Sequence, residues 1–326
     1  MSVQKIARLA GVSVATVSRV LNNIESVKPK NREKVLSVIN ELNYKPNLLA
    51  RQLRTAKSKM LLVLVSNIAN PFCADVVKGI ELEAEKNGYH ILLCNACSDV
   101  SRSQSSLSLL SGKMVDGVIT MDALSHLPEL TKLIGDSPWV QCAEFADAAN
   151  VSCVGIDDKD ASRFAIQKFI EQGRNKIAMI NHDLNYKYAQ LREDGYREEI
   201  DTNHCDYKKI QYADELSYEA GKEAMSALLL NAEKPDAVFA VSDTLAVGAL
   251  KAIEDAGLKV PDDIAVIGFD GTELGTMINP KLSTIQQPSE NIGREAVRLL
   301  LNHIENPGFT PEKIILEWQF ISRDSL

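Results

Sequence analysis

Polar side chains follow several short apolar runs of this sequence, at the point where each run ends. They are of the amide, hydroxyl and carboxylate types: Asn67, Asn70, Asp122, Glu144, Ser242, Asp243 and Asp270. Groups of this kind orient a small polar ligand by donating or accepting hydrogen bonds. A carboxylate beyond a strand can instead cap the next helix, and that is the favoured interpretation of Asp243.

Residue patterns for catalysis or metal binding are weak. The sequence has no glycine-rich phosphate loop of the Walker type, no HExxH and no GxSxG. Its five histidines are isolated, and Cys94 and Cys97 form a CxxC pair without the second pair that a structural zinc site needs. We therefore predict a binding protein and not an enzyme, with no cofactor or metal, in which the six cysteines are ordinary thiols.

The elements that must position these side chains alternate from Met60 onward. Strand-like runs are LLVLVS, HILLCNA, DGVITM, WVQCA, SCVGI, KIAMI, DAVFAV and IAVIGFD. Helical patterns lie at 72–87, 101–113, 158–172, 216–230, 244–256 and 289–305. Alternating β and α elements predict an α/β fold class, with parallel sheets covered by helices on both faces.

The number of elements exceeds one compact sheet, which predicts two similar lobes. Residues 60–157 with about 289–321 are assigned to the first lobe, and 158–288 with the C-terminal end to the second. The strand IILEWQFI is thereby expected to return to the first lobe. Ligands bind beyond the carboxyl ends of parallel strands, which for two lobes is the cleft between them.

The first 60 residues are basic although the whole chain is acidic. They hold twelve Lys and Arg against three Glu, a net charge of +9 within a chain of −8, so the rest carries −17. A basic module attached to an acidic body indicates a polyanion as the partner of that module.

Residues 1–46 are predicted to form an all-α helix-turn-helix head. Apolar side chains recur at helical spacing in three groups: Ile6, Leu9 and Ala10, then Val17, Val20 and Leu21, then Val35, Val38, Ile39 and Leu42. Gly11 stands where a tight turn needs a positive φ, and Ser13 is placed to cap the second helix.

The second helix of the head has one face turned away from this core: Val14, Ala15, Ser18, Arg19 and Asn22. Small apolar side chains can meet thymine methyl groups, and arginine can reach guanine O6 and N7 in the major groove. Side chains of the size and polarity of phosphate contacts are Ser13, Thr16, Ser18, Asn22 and Tyr44. The alternative is a solvated face on a small helical bundle.

Residues 47–59 are predicted to be a hinge. The string LLARQLR is too short for a helix that is stable alone in water, so it is expected to order on DNA. Its candidate DNA contacts are Leu49, Ala50, Arg51 and Leu53. The alternative is a plain interdomain linker.

The strings IARLAGVSVATVSRVLNN and INELNYKPNLLARQLRT resemble the head and hinge of the LacI/GalR family of repressors. The resemblance implies that base contacts come from Val14, Ala15 and Arg19. It also implies that paired hinge helices enter the minor groove and that Leu53 is inserted between base pairs, where it kinks the duplex. The string VKPKNRE departs from the family, which usually opens the third helix with a Ser or Thr cap and acidic residues.

The resemblance continues through the body, and it implies the two-lobed architecture of periplasmic binding proteins. It implies that Asp270, in the string GFD, bonds sugar hydroxyls and that Arg192 points into the cleft, whereas the alternative for both is a surface ion pair. Phe72 and Tyr218 match positions where relatives place an aromatic ring against the ligand, and each fits an ordinary core position equally well. The effector-binding candidates are therefore Asn70, Phe72, Asp122, Glu144, Arg192, Tyr218, Ser242 and Asp270.

Three further strings, PWVQCAEF, NPFCADVVKGIE and LSYEAGKEAM, are most similar to the cytidine-responsive members of the family, which implies a nucleoside as the effector. The string INHDLNYKYAQLRE departs from relatives, which usually have a Gly-Pro turn there. Residues 197–212 also diverge.

Three classes of function fit these observations unequally. A solute-binding protein would need a signal peptide in place of the basic head, and an enzyme would need a placed nucleophile or metal. We therefore expect a ligand-controlled repressor that binds double-stranded operator DNA and a nucleoside or sugar-like effector. A cytoplasmic protein without membrane attachment is expected, since the sequence shows no apolar run of roughly 20 residues. A homodimer is expected because the sequence shows no leucine heptad tail, the feature of a tetramerising coiled coil.

Overall fold

The computed structural model describes residues 2–22, 26–44, 57–95, 100–121, 127–143, 151–306 and 308–326. They form two compact units, Met1–Ser58 and Lys59–Leu326. The candidates Leu49, Ala50, Arg51 and Leu53 of the hinge lie outside the described residues, as do Asp122 and Glu144 of the body.

The first unit is the predicted helical head. Its helices are α1 (Val3–Ala10), α2 (Val14–Asn22) and α3 (Pro29–Glu41). Gly11 ends α1 with a φ of +63°, and the Ser13 hydroxyl accepts a hydrogen bond from the Thr16 amide at 3.1 Å, which caps α2. Both predictions are confirmed.

The core of the head is small and wholly apolar. Its buried side chains are Ile6, Ala7, Ala10, Val17, Val20, Val27 and Val35. The expectation that Leu9 packs inside is wrong, because Leu9 is 53% exposed and Ala7 takes the inner position one turn before Gly11.

The first lobe of the second unit is built on a six-stranded sheet of order β11-β5-β4-β3-β1-β2. Its strands are β1 (Met60–Val65), β2 (His90–Asn95), β3 (Gly117–Met121), β4 (Trp139–Cys142), β5 (Ser152–Gly155) and β11 (Lys313–Ile315). Its helices are α4 (Pro71–Lys86), α5 (Val100–Ser111), α6 (Leu127–Ile134) and α12 (Ser289–Glu305). Strand β1 is almost continuously apolar and buried, as expected when helices cover both faces of a parallel sheet.

The second lobe repeats this arrangement with a sheet of order β12-β10-β9-β8-β6-β7. Its strands are β6 (Ile177–Asn181), β7 (Lys209–Tyr212), β8 (Ala237–Ala240), β9 (Ala265–Asp270), β10 (Ser283–Gln286) and β12 (Gln319–Ile321). Its helices are α7 (Asp158–Glu171), α8 (Lys187–Thr202), α9 (Tyr218–Leu229), α10 (Asp243–Asp255) and α11 (Leu274–Met277). The predicted two-lobed α/β architecture is confirmed.

The C-terminal segment differs from the expected single strand. The string IILEWQFI is divided: β11 pairs in parallel with β5 of the first sheet, and β12 pairs antiparallel with β10 of the second. Helix α12 lies against α4 of the first lobe. A Cβ on Gly293 would stand 2.1 Å from the carbonyl oxygen of Val76, so this close helix contact requires glycine.

Among the described residues, no helix combines the length and apolar character needed to cross a membrane. No group of three or more His, Cys, Asp or Glu in that part of the chain is placed to hold a metal ion.

Candidate functional site

A cavity of about 500 Å³ lies between the two lobes of the second unit, at the carboxyl ends of their strands. The first lobe and the connection to it contribute Ser66, Asn67, Asn70, Phe72, Cys73, Met121, Ala143 and Gln287. The second lobe contributes His182, Asp183, Tyr186, Tyr188, Arg192, Asp214, Glu215, Leu216, Val241 and Asp270. A molecule bound here contacts both lobes.

Arg192 projects from α8 into this cavity and is only 5% exposed. Its Nε and Nη2 donate to one carboxylate oxygen of Asp158, at 2.8 and 2.7 Å, and Nη1 donates to the Val241 carbonyl oxygen at 2.6 Å. These bonds use three of the five N–H donors of the guanidinium. The group is therefore held rigidly and keeps donor capacity for a ligand.

The flat faces of the Arg192 guanidinium also contact aromatic rings. Its Cζ lies 3.5 Å from the ring centroid of Phe269 and 4.8 Å from that of Tyr188. Guanidinium stacking of this type is favourable when water is excluded. Both rings and Asp158 thus fix the orientation of Arg192.

Asp270 ends β9 and lines the cavity, with a φ of 108°, an uncommon conformation for a residue with a side chain. Its Oδ1 accepts a hydrogen bond from Gln287 Nε2 at 2.9 Å and lies 4.0 Å from Arg192 Nη1. Burial raises the pKa of the Asp270 carboxyl to about 8, against the effect of the Arg192 charge. The raised pKa favours the protonated carboxyl, which can donate as well as accept.

Of the predicted effector residues that the structure describes, Asn70, Phe72, Arg192 and Asp270 line this one cavity. The Asn70 side chain accepts a hydrogen bond from the Phe72 amide at 3.0 Å and caps α4. Asn70 and Phe72 therefore stand on the first-lobe wall, and Arg192 and Asp270 stand on the second-lobe wall.

Tyr218 and Ser242 are not among the residues that line the cavity. Tyr218 opens α9 and is 37% exposed. Ser242 is buried, and its hydroxyl accepts from the Leu245 amide at 3.2 Å, so Ser242 and not Asp243 caps α10. Since a cap must lie one residue before the first helical turn, α10 beginning at Asp243 leaves that role to its neighbour.

Asp243 has a different role from the expected cap. Its carboxylate accepts from the backbone amide and hydroxyl of Thr272 and from the hydroxyl of Thr284, at 2.6, 2.9 and 2.6 Å. These bonds connect α10 to the loop that follows Asp270 and to β10. Burial raises the pKa of Asp243 to about 6, although the three hydrogen bonds oppose that shift.

An aromatic wall, formed by His182, Tyr186 and Tyr188, was missed by sequence reasoning. The ring centroids of His182 and Tyr186 lie 4.9 Å apart, and those of Tyr186 and Tyr188 lie 5.5 Å apart. His182 Nδ1 and the Tyr188 hydroxyl form a hydrogen bond of 2.6 Å. The available signal was the two closely spaced tyrosines in NYKY, within a string that departs from the LacI/GalR pattern.

The head carries the second set of predicted residues, on α2. Val14, Ala15 and Arg19 are exposed and Ser18 is half-buried, whereas Val17 and Val20 face the core. Ser13 and Thr16 bond to each other through their hydroxyls at 2.9 Å. Tyr44 packs partly against the core of the head, and the side chain of Asn22 lies outside the described part of the chain. The helix therefore presents a continuous exposed face.

Comparison with known proteins identifies both units. Residues 2–47 match the model of "Bacterial regulatory proteins, lacI family", and residues 166–326 match that of "Periplasmic binding protein-like domain". The ribose operon repressor of Haemophilus influenzae is 33% identical over 326 residues, which cover 100% of this chain and 98% of that protein. The chain belongs to the LacI family of bacterial regulatory proteins.

Solved structures of similar proteins extend this result. A lac repressor dimer bound to operator and the anti-inducer ONPF has a TM-score of 0.91 and 26% identity, covering 100% of this chain and 98% of that one. An uncharacterized protein from Actinobacillus succinogenes is 56% identical with a TM-score of 0.80, covering 82% of this chain and 99% of that one. This LacI-family chain is accordingly a DNA-binding transcription regulator whose second unit is a periplasmic-binding-like effector domain.

Proposed function

We propose that this regulator represses transcription as a homodimer on operator DNA, and that a polyhydroxylated molecule in the cleft, a sugar or a nucleoside, controls its operator affinity. One observation carries the proposal: Arg192 and Asp270 of the second lobe line the same cavity as Asn70 and Phe72 of the first. A ligand held by both walls changes the relative free energy of the lobe arrangements.

The chemistry of the cavity suits vicinal hydroxyl groups. A hydroxyl both donates and accepts, so it can accept from the Arg192 guanidinium while it bonds the Asp270 carboxyl. Gln287 holds the Asp270 carboxyl in place, and Asn67 and Asn70 offer amides from the opposite wall. Removal of Asp270 should therefore abolish the ligand response.

The exposed face of α2 supports the DNA-reading role. Val14 and Ala15 offer small apolar surfaces for thymine methyl groups, and Arg19 offers a bidentate donor for guanine. Ser13, Thr16, Ser18, Asn22 and Tyr44 are proposed to contact phosphates. The hinge residues Leu49, Ala50, Arg51 and Leu53 are proposed to enter the minor groove, with Leu53 as the wedge.

The dimer is proposed because a symmetric operator needs two heads, and the lac repressor structure that this chain resembles is a dimer on operator. The chain is proposed to act in the bacterial cytoplasm, where operator DNA lies. The similarity to a ribose operon repressor favours a sugar as the effector, whereas the strings that resemble cytidine-responsive regulators favour a nucleoside.

Full-length protein should first be used to select a preferred duplex from a random pool. Its affinity for that duplex is then measured by fluorescence anisotropy at several salt concentrations, with and without ribose or nucleosides, because phosphate contacts depend on salt. We expect one ligand to change the operator affinity roughly 5- to 150-fold. Equal binding to scrambled duplex at every salt concentration would refute the proposal.

Asp270→Ala tests the assignment of the cleft. The variant should lose the ligand-dependent change while keeping a preference for the selected duplex, unless the ligand is a corepressor, in which case operator binding also falls. Lys251→Ala serves as the matched control, since Lys251 lies on the surface of α10 and pairs with Glu254 and Asp255. If Asp270→Ala retained the ligand response, the proposed contact between the ligand and Asp270 would be contradicted.

A further inference from the structure

Lys59 is the first residue of the second unit, and three contacts hold it in place. Its backbone N–H donates to the Asp116 carboxylate at 3.0 Å, and its carbonyl oxygen accepts from the His90 amide at 2.9 Å. Its Nζ lies 3.9 Å from the ring centroid of Tyr89. We call Lys59, Tyr89 and Asp116 the linker clamp. The clamp fixes the backbone and the side chain of Lys59 together.

The backbone of Lys59 has a φ of +58°, in the left-handed region that favours glycine. A lysine keeps this uncommon conformation only where its surroundings impose it, and such conformations are concentrated at functional positions. The bonds to Asp116 and His90 impose it here. Since glycine would adopt this φ without strain, the contribution that is specific to lysine is the contact of its ammonium group with Tyr89.

Tyr89 contributes a buried ring face to the clamp. It is 1% exposed, and its hydroxyl oxygen has no hydrogen-bond partner in the described part of the chain. A buried ring attracts an ammonium group more strongly than an exposed ring does, because water does not compete. Burial, together with the charges of Asp116 and Glu305, raises the pKa of Tyr89 to about 12. The phenol is therefore neutral, and the acidic groups near it favour the Lys59 cation.

The clamp joins the amino ends of three neighbouring strands. Lys59, Tyr89 and Asp116 stand directly before β1, β2 and β3, and β1 lies between the other two in the sheet. The cavity lies at the carboxyl ends, where Ser66 and Asn67 follow β1. Strand β1, about 20 Å of extended chain, separates the clamp from the cavity. A substitution in the clamp can therefore affect the chain that enters the body without altering the cavity walls.

We propose that Lys59 is a positioning residue for operator binding, because the linker clamp orders the chain at the point where it enters the body. The residues of the clamp are not among the predicted contacts to DNA or to the effector. A backbone that is already ordered loses less conformational entropy when DNA binds, so the clamp raises operator affinity without a contact to DNA. This inference rests on the proposed function, since it assigns residues that support the affinity for operator DNA.

Two substitutions that break the clamp test this role in the full-length protein. Lys59→Gly removes the ammonium group and frees the backbone, and Asp116→Ala removes the acceptor of the Lys59 amide. Each should weaken binding to the selected duplex by roughly fivefold to 30-fold, the cost of ordering one further backbone residue, measured by fluorescence anisotropy. The two substitutions change the net charge in opposite directions, so phosphate attraction cannot explain a loss in both. On the scrambled duplex, by contrast, Asp116→Ala should bind no more weakly than the wild type.

Three conservative substitutions serve as matched controls. Lys59→Arg keeps a cation over the Tyr89 ring, Asp116→Asn keeps an acceptor for the Lys59 amide, and Tyr89→Phe keeps the ring while removing the hydroxyl group. Each should bind the selected duplex within about twofold of the wild type. Urea denaturation of every variant gives the folded fraction in the binding assay, and so separates a loss of operator affinity from a loss of folded protein.

The outcomes separate this inference from the proposed function. The inference is overturned if Lys59→Gly binds the selected duplex as tightly as the wild type, or if Lys59→Arg loses as much affinity as Lys59→Gly. It is also overturned if Lys59→Gly weakens and Asp116→Ala strengthens binding to both duplexes, since net charge alone then accounts for the result. Each of these results leaves the proposed function intact. The proposed function itself fails, and the inference with it, if the wild type shows no preference for the selected duplex.

Discussion

Helices α2 and α8 each carry an arginine with a predicted binding role, but in contrasting surroundings. Arg19 of α2 is exposed on the outer face of a helix whose inner face packs into a small apolar core. Arg192 of α8 is buried, bonded to Asp158 and the Val241 carbonyl, and stacked on Phe269. The predicted binding face of the head is therefore separate from its core, whereas the predicted binding group of the cleft is buried and bonded within the core.

This difference has an energetic consequence. An exposed side chain can be removed with little effect on unfolding, because water replaces its contacts. A buried charge cannot, since removal of one partner leaves the other without compensation. Substitution of Arg19 on α2 should therefore change DNA binding without changing the free energy of unfolding. Substitution of Arg192 on α8 should change both ligand binding and the free energy of unfolding.

The largest effect is expected for Arg192→Ala. Loss of the guanidinium strands the buried Asp158 carboxylate, which should lower the free energy of unfolding by about 3–5 kcal/mol, measured by urea denaturation. Lys251→Ala, which breaks a surface pair, should change it little. Replacing both partners, Arg192→Met with Asp158→Leu, should recover much of the loss. If Arg192→Ala changed the free energy of unfolding as little as Lys251→Ala, a stabilising role of Arg192 would be contradicted.

Arg19→Ala is expected to act on DNA binding without affecting the fold. Affinity for the selected duplex should fall by about 1–3 kcal/mol and one base preference should relax, while the thermal unfolding of the protein stays unchanged. Lys34→Ala, on the exposed side of α3, removes the same charge without a base contact. Lys34→Ala should lose the same affinity for the selected duplex and for random duplexes. If Arg19→Ala also lost equal affinity for both, direct base readout by Arg19 would be contradicted.

Asp270 should make the stability of the body depend on pH. Its folded pKa of about 8 lies above the unfolded value of roughly 3.9, so between these values the folded state holds a proton that the unfolded state releases. Stability should fall as pH rises through this window, by at most about 1.4 kcal/mol per pH unit.

Asp270→Asn removes this contribution and keeps the bond from Gln287. Comparison of the two proteins between pH 6.5 and 8 isolates Asp270 from Asp243, whose pKa is raised to about 6. The substituted protein should show a flatter slope of unfolding free energy against pH. Identical slopes would mean that Asp270 is ionised throughout that range.

The smallest effect is expected for Ser13→Ala. Loss of the cap on α2 should cost the head about 1 kcal/mol, seen as faster amide exchange in peptides that cover α2. Ser37→Ala, on the exposed side of α3, is the control and should be neutral or slightly stabilising. Exchange in the effector domain should be unaltered, and a change there would contradict a role of Ser13 that is confined to capping α2.

Features of the head that depend on neighbouring residues were predictable. The presence of three helices, the positive φ of Gly11 and the cap by Ser13 follow from local spacing and residue type. Leu9 was misplaced because periodicity over one short helix does not distinguish between two adjacent faces. In the body, Ser242 and not Asp243 caps α10, because this helix begins at Asp243, one residue before its predicted start.

The sequence by itself determined the alternation of strands and helices, the basic head, and the candidates Arg192 and Asp270. The tertiary structure decided which groups meet. Asp158 stands 34 residues before Arg192, and the aromatic wall opposes Phe72 across the cleft. It also divided IILEWQFI between two sheets. Propensity and period are properties of a short segment, whereas the partner of a buried charge is fixed by packing between segments distant in the chain.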